Sequence, residues 1–163
     1  VSKFLLKNVK VMVNAVDLSS HAFNVDTPSD KEQVDVSGFS PTGTREYLPG
    51  MADQTIEVQF ENDFAAASVH ATLQPLFANG TTFTVYVSPD ATAAVSATNP
   101  AYGGTGCLFS YNGLSGALNA RSETTATFKP APGSSFQWAA VAPLMMEADQ
   151  QSEKTEATAA KKS

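Results

Sequence analysis

Apolar and polar residues alternate with a period of two along much of this chain, and the pattern predicts strands. Val9, Val11 and Val13 alternate with Asn8, Lys10 and Met12. His21–Val25 reads as a second short strand, and Gln33–Ser37 alternates again after a polar turn over Asp26–Lys31 that contains Pro28. Thr55–Glu61 is the clearest case: Ile56, Val58 and Phe60 fall on one face, and Thr55, Glu57, Gln59 and Glu61 on the other. Phe83, Val85 and Val87 repeat the pattern within Thr82–Val87, and Gly104–Asn112 and Glu123–Lys129 supply the last two strands. Such alternation means a sheet with one face packed and one wet.

One stretch departs from this period. Between Asp63 and Phe77, Val69, Leu73 and Leu76 share a helical face, which predicts a single helix near residues 64–74. Asp63 is a good N-cap, because its carboxylate can accept amide hydrogens at the positive helix end. Pro75 removes a backbone bond and crowds the preceding turn, so the helix is expected to stop near Leu73. Pro75-Leu76-Phe77 then forms a tight turn and Asn79-Gly80 closes it. The pattern therefore predicts a mainly β domain with one flanking α-helix.

The connections differ in character. Ser40–Asp53 contains Pro41, Gly43, Pro49 and Gly50 with no apolar period, and so reads as a long loop. Connections of that length in compact domains are commonly functional. This one carries Arg45, Glu46, Tyr47, Leu48 and Met51, side chains suited to packing on a neighbour. Ser88–Tyr102 is a second long connection, rich in Ala, Ser, Thr and Pro, and Gly113–Ala120 is a loop with an apolar middle. Periodicity is lost from Pro130, although Phe136, Trp138 and Val141 are able to dock on the domain. Glu147–Ser163 lacks any large apolar residue and reads as a disordered tail.

At 163 residues the length suits one domain. The net charge of -6 argues against a nucleic-acid clamp on the outer surface. Cys107 stands alone, so no intrachain disulfide forms; it reads as a small buried residue of a strand. No apolar run reaches transmembrane length, and Lys7 and Lys10 interrupt the region a signal peptide needs. The expectation is a soluble protein made in the cytosol.

The search for catalytic chemistry finds little. His21 and His70 are far apart in sequence, with no nucleophile elbow near either. Zinc spacings are absent, and Asp26, Asp30, Glu32 and Asp35 lack the glycine and terminal glutamate of a calcium loop. Gly103-Gly104-Thr105-Gly106 is not followed by a helix or lysine and reads as a turn or bulge. Glu57 and Glu61 lie about 13 Å apart along a strand, too far for the usual glycosidase pair, although another strand could supply a partner. Neither enzyme chemistry nor a cofactor is expected.

An ordered series of phrases does carry a resemblance. Asp17-Leu18-Ser19 follows the first strand, then Val34-Asp35-Val36-Ser37-Gly38-Phe39, then Arg45-Glu46-Tyr47-Leu48-Pro49-Gly50 directly before the Ile56-Val58-Phe60 strand. Asp63-Phe64 with the helix, Thr82–Ser88, and Ser96-Ala97-Thr98-Asn99-Pro100-Ala101-Tyr102 complete the order. Over residues 1–129 the chain resembles the tail tube protein (major tail protein) of long-tailed bacteriophages. The resemblance implies a β-sandwich or partial barrel flanked by one helix, whose sheet is completed between subunits as a β-barrel in a hexameric ring. It implies rings stacked into a tube in the virion tail, made in the host bacterial cytoplasm, with double-stranded DNA passing through and no membrane. The implied partners are further copies and the tape measure, tail terminator and distal tail proteins. It places an inter-ring contact in the loop that holds Arg45, Glu46, Tyr47, Leu48 and Met51. The acidic and neutral face of Glu57, Gln59 and Glu61 suits a lumen lining, because basic groups would hold phosphate. Residues 130–146 fall outside the resemblance as a C-terminal extension. A capsid decoration or tail-completion protein, or a carbohydrate-binding sandwich, stands as the rival; scattered Tyr86, Tyr102, Tyr111 and Trp138 speak against a sugar platform.

Overall fold

The computed structural model describes residues 5–39 and 43–141. Its strands are β1 (Lys10–Val13), β2 (Val16–Asp17), β3 (Ala22–Asp26), β4 (Ser29–Asp35), β5 (Tyr47–Gln54), β6 (Ile56–Glu61), β7 (Phe83–Ser88), β8 (Ala101–Ser115), β9 (Glu123–Pro130) and β10 (Gln137–Ala139), and its helix is α1 (Val69–Asn79). All sheet pairings are antiparallel, in the order β2-β1-β7-β8-β9-β6-β3, with β10 also on β8 and with β4-β5 as a separate ribbon.

The long strand β8 organises the sheet. Its first part, Tyr102–Gly106, pairs with β7, and its second part, Gly106–Ser115, pairs with β9 on the opposite side. One half-sheet is thus β2-β1-β7-β8 with β10, and the other is β8-β9-β6-β3. Their inner faces share one core: Val11 and Val13 from β1, Phe83, Val85 and Val87 from β7, and Ile56, Val58, Phe60, Ala126 and Phe128 from β6 and β9. Val69, Leu73 and Leu76 of α1 close it. Phe83 and Phe128 meet edge to face at 5.8 Å, a favoured aromatic geometry.

The helix starts later and runs further than the 64–74 span predicted from sequence. Ala67 has φ 59°, which a helix cannot contain, so Ser68 becomes the N-cap. Asp63 instead organises the preceding turn, accepting from the Ala65 amide (2.9 Å) and the Ser68 hydroxyl (2.7 Å). Those two donors hold its carboxyl below the ordinary value. Pro75 lies inside the helix on an exposed face, where the unbonded carbonyl one turn earlier meets water. Burial of Leu73 and Leu76 on either side of Pro75 offsets its cost.

Two further readings change. Gly103-Gly104-Thr105-Gly106 is neither turn nor bulge but the paired interior of β8. A Cβ on Gly106 would lie 3.0 Å from the Phe136 ring, and one on Gly104 3.7 Å from it. The glycines make room for Phe136, which is fully buried and edge-on to Tyr102 at 6.1 Å. The chain beyond Lys129 therefore docks on the domain and adds β10, Gln137–Ala139, to β8. Cys107 is only half-buried: Leu108 takes the core face, so Cys107 turns outward opposite Lys129. The expected tail at 147–163 lies outside the described residues.

The 89–100 connection is ordered by one buried side chain. The Asn99 carbonyl oxygen accepts from the Ser88 hydroxyl and the Asp90 amide, both at 3.0 Å, and its amide donates to the Asp90 and Ala93 carbonyls. Asn99→Ala leaves these groups unpaired and is expected to cost about 2–3 kcal/mol, read as a lower urea midpoint. A loss below about 0.5 kcal/mol would show that the clamp contributes nothing.

Candidate functional site and assembly surfaces

The β8-β9-β6-β3 half-sheet has one packed face and one polar face. Register puts Glu57 between Asp26 and Thr127, Gln59 between Asn24 and Thr125, and Glu61 opposite Glu123. These residues point away from Ile56, Val58 and Phe60, as the alternation predicts. Asn24 donates to Gln59 at 3.1 Å, and Arg121 bonds Glu123 at 2.9 Å and reaches Glu61 at 3.4 Å. No ion pair involves Asp26 or Glu57 among the described residues, so the face is acidic on balance.

Among the described residues both flanks of this half-sheet are open: β3 pairs only with β6, and the second part of β8 pairs only with β9. Bare edges invite pairing with another chain. Four antiparallel strands place β3 and β8 in opposite directions, so the two edges are compatible with antiparallel pairing between copies.

The ribbon β4-β5 forms the second surface. Ser40–Asp53 is not a uniform loop: β5 occupies Tyr47–Gln54 and pairs with β4. Val36 donates to the Glu46 carbonyl at 3.0 Å, so Val34–Leu48 is a hydrogen-bonded pair and Gln33–Pro49 is not. Pro49 therefore costs the ladder no bond. The Cβ position of Gly50 is crowded by Glu32 and Val34, both about 3.1 Å away. These two residues disguise the strand in the sequence.

All five expected contact residues lie on this arm and are exposed: Arg45 and Glu46 just before β5, and Tyr47, Leu48 and Met51 within it. Val34, Val36 and Phe39 extend the apolar surface; Leu48 is 57% exposed and Met51 81%. The periodic strand Gln33–Ser37 had signalled Val34 and Val36, but only pairing shows that they join Leu48. The arm's base is pinned by Gln54, which bonds both the amide and the carbonyl of Phe136 at 2.9 and 2.7 Å, and by Ser29 to Tyr102 at 2.8 Å.

The two histidines have structural partners. His70 Nδ1 lies 2.7 Å from the Tyr111 hydroxyl, whose titration is pushed up by burial. His21 Nε2 lies 3.4 Å from Ser68 Oγ and 3.6 Å from Asp63. Serine and aspartate thus approach the same ring nitrogen, whereas a hydrolytic relay needs them on opposite ones. No group of His, Cys, Asp and Glu able to hold a metal occurs among the described residues, and no described helix is long and apolar enough to cross a membrane.

Comparison with solved structures defines the fold. A chain of the native gene transfer agent virion superposes with TM-score 0.67 at 15% identity, over 84% of this chain and 99% of that one. A chain from the tail of the empty gene transfer agent particle, refined with C6 symmetry, gives 0.59 at 16% identity over 81% and 94%. A chain of the SPP1 tail tube gives 0.57 at 13% identity over 75% and 72%. No family model and no curated protein sequence matches the chain. The fold is that of tail-tube proteins: mainly β, with one flanking helix.

Proposed function

We propose that this chain is a structural subunit of a phage tail tube, in which six copies form a ring, rings stack, and double-stranded DNA passes through the bore. The observation that carries the reading is the half-sheet with an acidic outer face and two open, antiparallel-compatible edges. An even number of strands per copy lets a ring close without a single parallel joint, and closure removes both exposed edges of this half-sheet. Six copies of four strands make twenty-four. At about 4.8 Å per strand and a tilt of about 40°, such a barrel is roughly 50 Å across between backbones. Side chains reduce the bore to about 40 Å, which a DNA duplex clears.

Glu57, Gln59 and Glu61 then line the lumen, where uncompensated carboxylates repel phosphate and keep passage fast. The arm supplies the contact between rings through Arg45, Glu46, Tyr47, Leu48 and Met51. Tape measure, terminator and distal tail proteins are the partners at the lumen and the two tube ends, and the virion tail is the location. The role is architectural rather than enzymatic.

Electron microscopy of the concentrated protein, and of virions, tests this. Sixfold tubes with a central channel are expected. Persistent monomers or isolated trimers, with no such subunit in a virion tube, would replace the reading with a decoration or binding module.

A further inference from the structure

A groove of about 520 Å³ opens along the edge strand β10, on the outer face of the β2-β1-β7-β8 half-sheet. Thr84 of β7 and Thr105 of β8 form its floor, and they point away from the core residues Phe83 and Val85. Ser134, Ser135, Gln137 and Trp138 form its wall. Its size falls in the range of small-molecule sites, about 300–1,000 Å³.

The wall is fixed before any ligand arrives. β10 pairs with β8 at Gln137–Gly103, Trp138–Tyr102 and Ala139–Ala101. Phe136 anchors it in the glycine socket, and Gln54 holds the Phe136 amide and carbonyl. Gln137 donates to Ser135 Oγ at 3.1 Å, which keeps its amide along the wall. Trp138 packs on the buried Tyr102 ring with centroids 4.9 Å apart, yet stays 59% exposed. The fold thus joins two aromatics that are scattered in the sequence, and leaves one of them bare beside a row of hydroxyl and amide groups. A wall held this firmly loses little freedom when it binds.

We infer that this groove binds a neutral saccharide, with a C–H face of the sugar against Trp138 and its hydroxyls on Thr84, Ser135 and Gln137. The described residues that line the groove carry no charge. Nothing among them compensates a phosphate, a carboxylate or an ammonium, and covering such an ion unpaired is costly. A purely apolar ligand fails for the opposite reason, because it would strip water from the hydroxyls and the amide and leave them unpaired. A sugar ring meets both demands, since hydroxyls surround its rim and apolar C–H groups occupy its faces. Aromatic side chains with one apolar side and one wet side suit such a contact. The site does not depend on the stacked-ring reading. With the acidic half-sheet face around a bore, the groove lies on the outside of the tube, open to saccharides there.

Trp138 is the only tryptophan of the chain, so its emission reports on the groove directly. The full unassembled chain is titrated with maltotriose, cellotriose and triacetylchitotriose, and is applied in labelled form to an array of neutral and acidic glycans. At least one neutral glycan is expected to bind and to shift the Trp138 emission saturably. Gln137→Ala should weaken that binding by about fivefold, and Trp138→Ala, read on the array, by about tenfold or more. Both positions are exposed, so circular dichroism of the variants should match that of the unmodified chain. No neutral glycan bound, binding that follows glycan charge, or binding untouched by both substitutions in folded protein would overturn the site. None of these outcomes bears on tube formation, which electron microscopy reads separately.

Discussion

Phe128→Ala is expected to destabilise the unassembled subunit by about 3–5 kcal/mol, among the largest effects of any single substitution here. The ring is fully buried on β9, between Ile56 of β6 and Leu108 of β8. It also meets Phe83 of β7 edge to face, so it ties the two half-sheets together. Truncation removes that contact and leaves a cavity that the flanking strands cannot close without breaking register. Against a typical total of about 5–15 kcal/mol, the loss leaves a marginal fold. A urea titration followed by far-ultraviolet circular dichroism reads it as a large drop in midpoint at nearly constant slope. Phe109→Ala, at a residue 59% exposed on the next strand, is the control and should stay within about 0.5 kcal/mol. A Phe128→Ala loss below about 1 kcal/mol would mean that the half-sheets are not joined through this ring.

The same contrast between buried and exposed positions explains what the sequence disclosed. Ile56, Val58 and Phe60 announce their strand because one face must be dry and the other wet, and the structure keeps both faces as read. The helix was legible in kind but not in position. Ala65-Ala66-Ala67 has high helix propensity, yet Ala67 takes a left-handed conformation, set by Asp63 capturing the Ala65 amide and the Ser68 hydroxyl. Propensity yields there to a local polar network. β5 was hidden because Pro49 and Gly50 are strand-breaking by type, and only the ladder's phase makes Pro49 harmless. Phe136 was hidden for a different reason: its socket is an absence of side chains at Gly104 and Gly106, far earlier in the chain. The exposed arm residues were readable as chemistry, since Tyr47, Leu48 and Met51 are poor linker residues. That the turn before α1 lies against the β8-β9 tip was not legible, because Asn62 bonds Ser122 and Gly113 from far along the chain.

Reversing the charge of the proposed lumen should convert a passive conduit into a DNA trap. Glu57→Lys with Gln59→Lys adds three positive units per subunit, and a sixfold ring repeats the change six times. Both positions face away from the core and oppose small or polar partners on β9 and β3, Thr127 and Thr125, Asp26 and Asn24, so folding and ring closure should survive. The bore would then present a dense array of lysines to phosphate, and each contact adds affinity through counterion release. Purified open tubes of the variant are expected to bind a short linear duplex at low salt. That binding should weaken on the order of a thousandfold between about 50 and 200 mM salt for roughly six contacts. Unmodified tubes should bind far less at any salt. Topology separates inside from outside, because a linear duplex can thread a tube whereas a closed circular plasmid cannot. Variant tubes that retain the linear duplex, shield it from nuclease and ignore the plasmid would place Glu57 and Gln59 on the lumen. Equal binding of plasmid and linear DNA would put this face on the outside of the tube, and the acidic strand would then be an ordinary solvated surface.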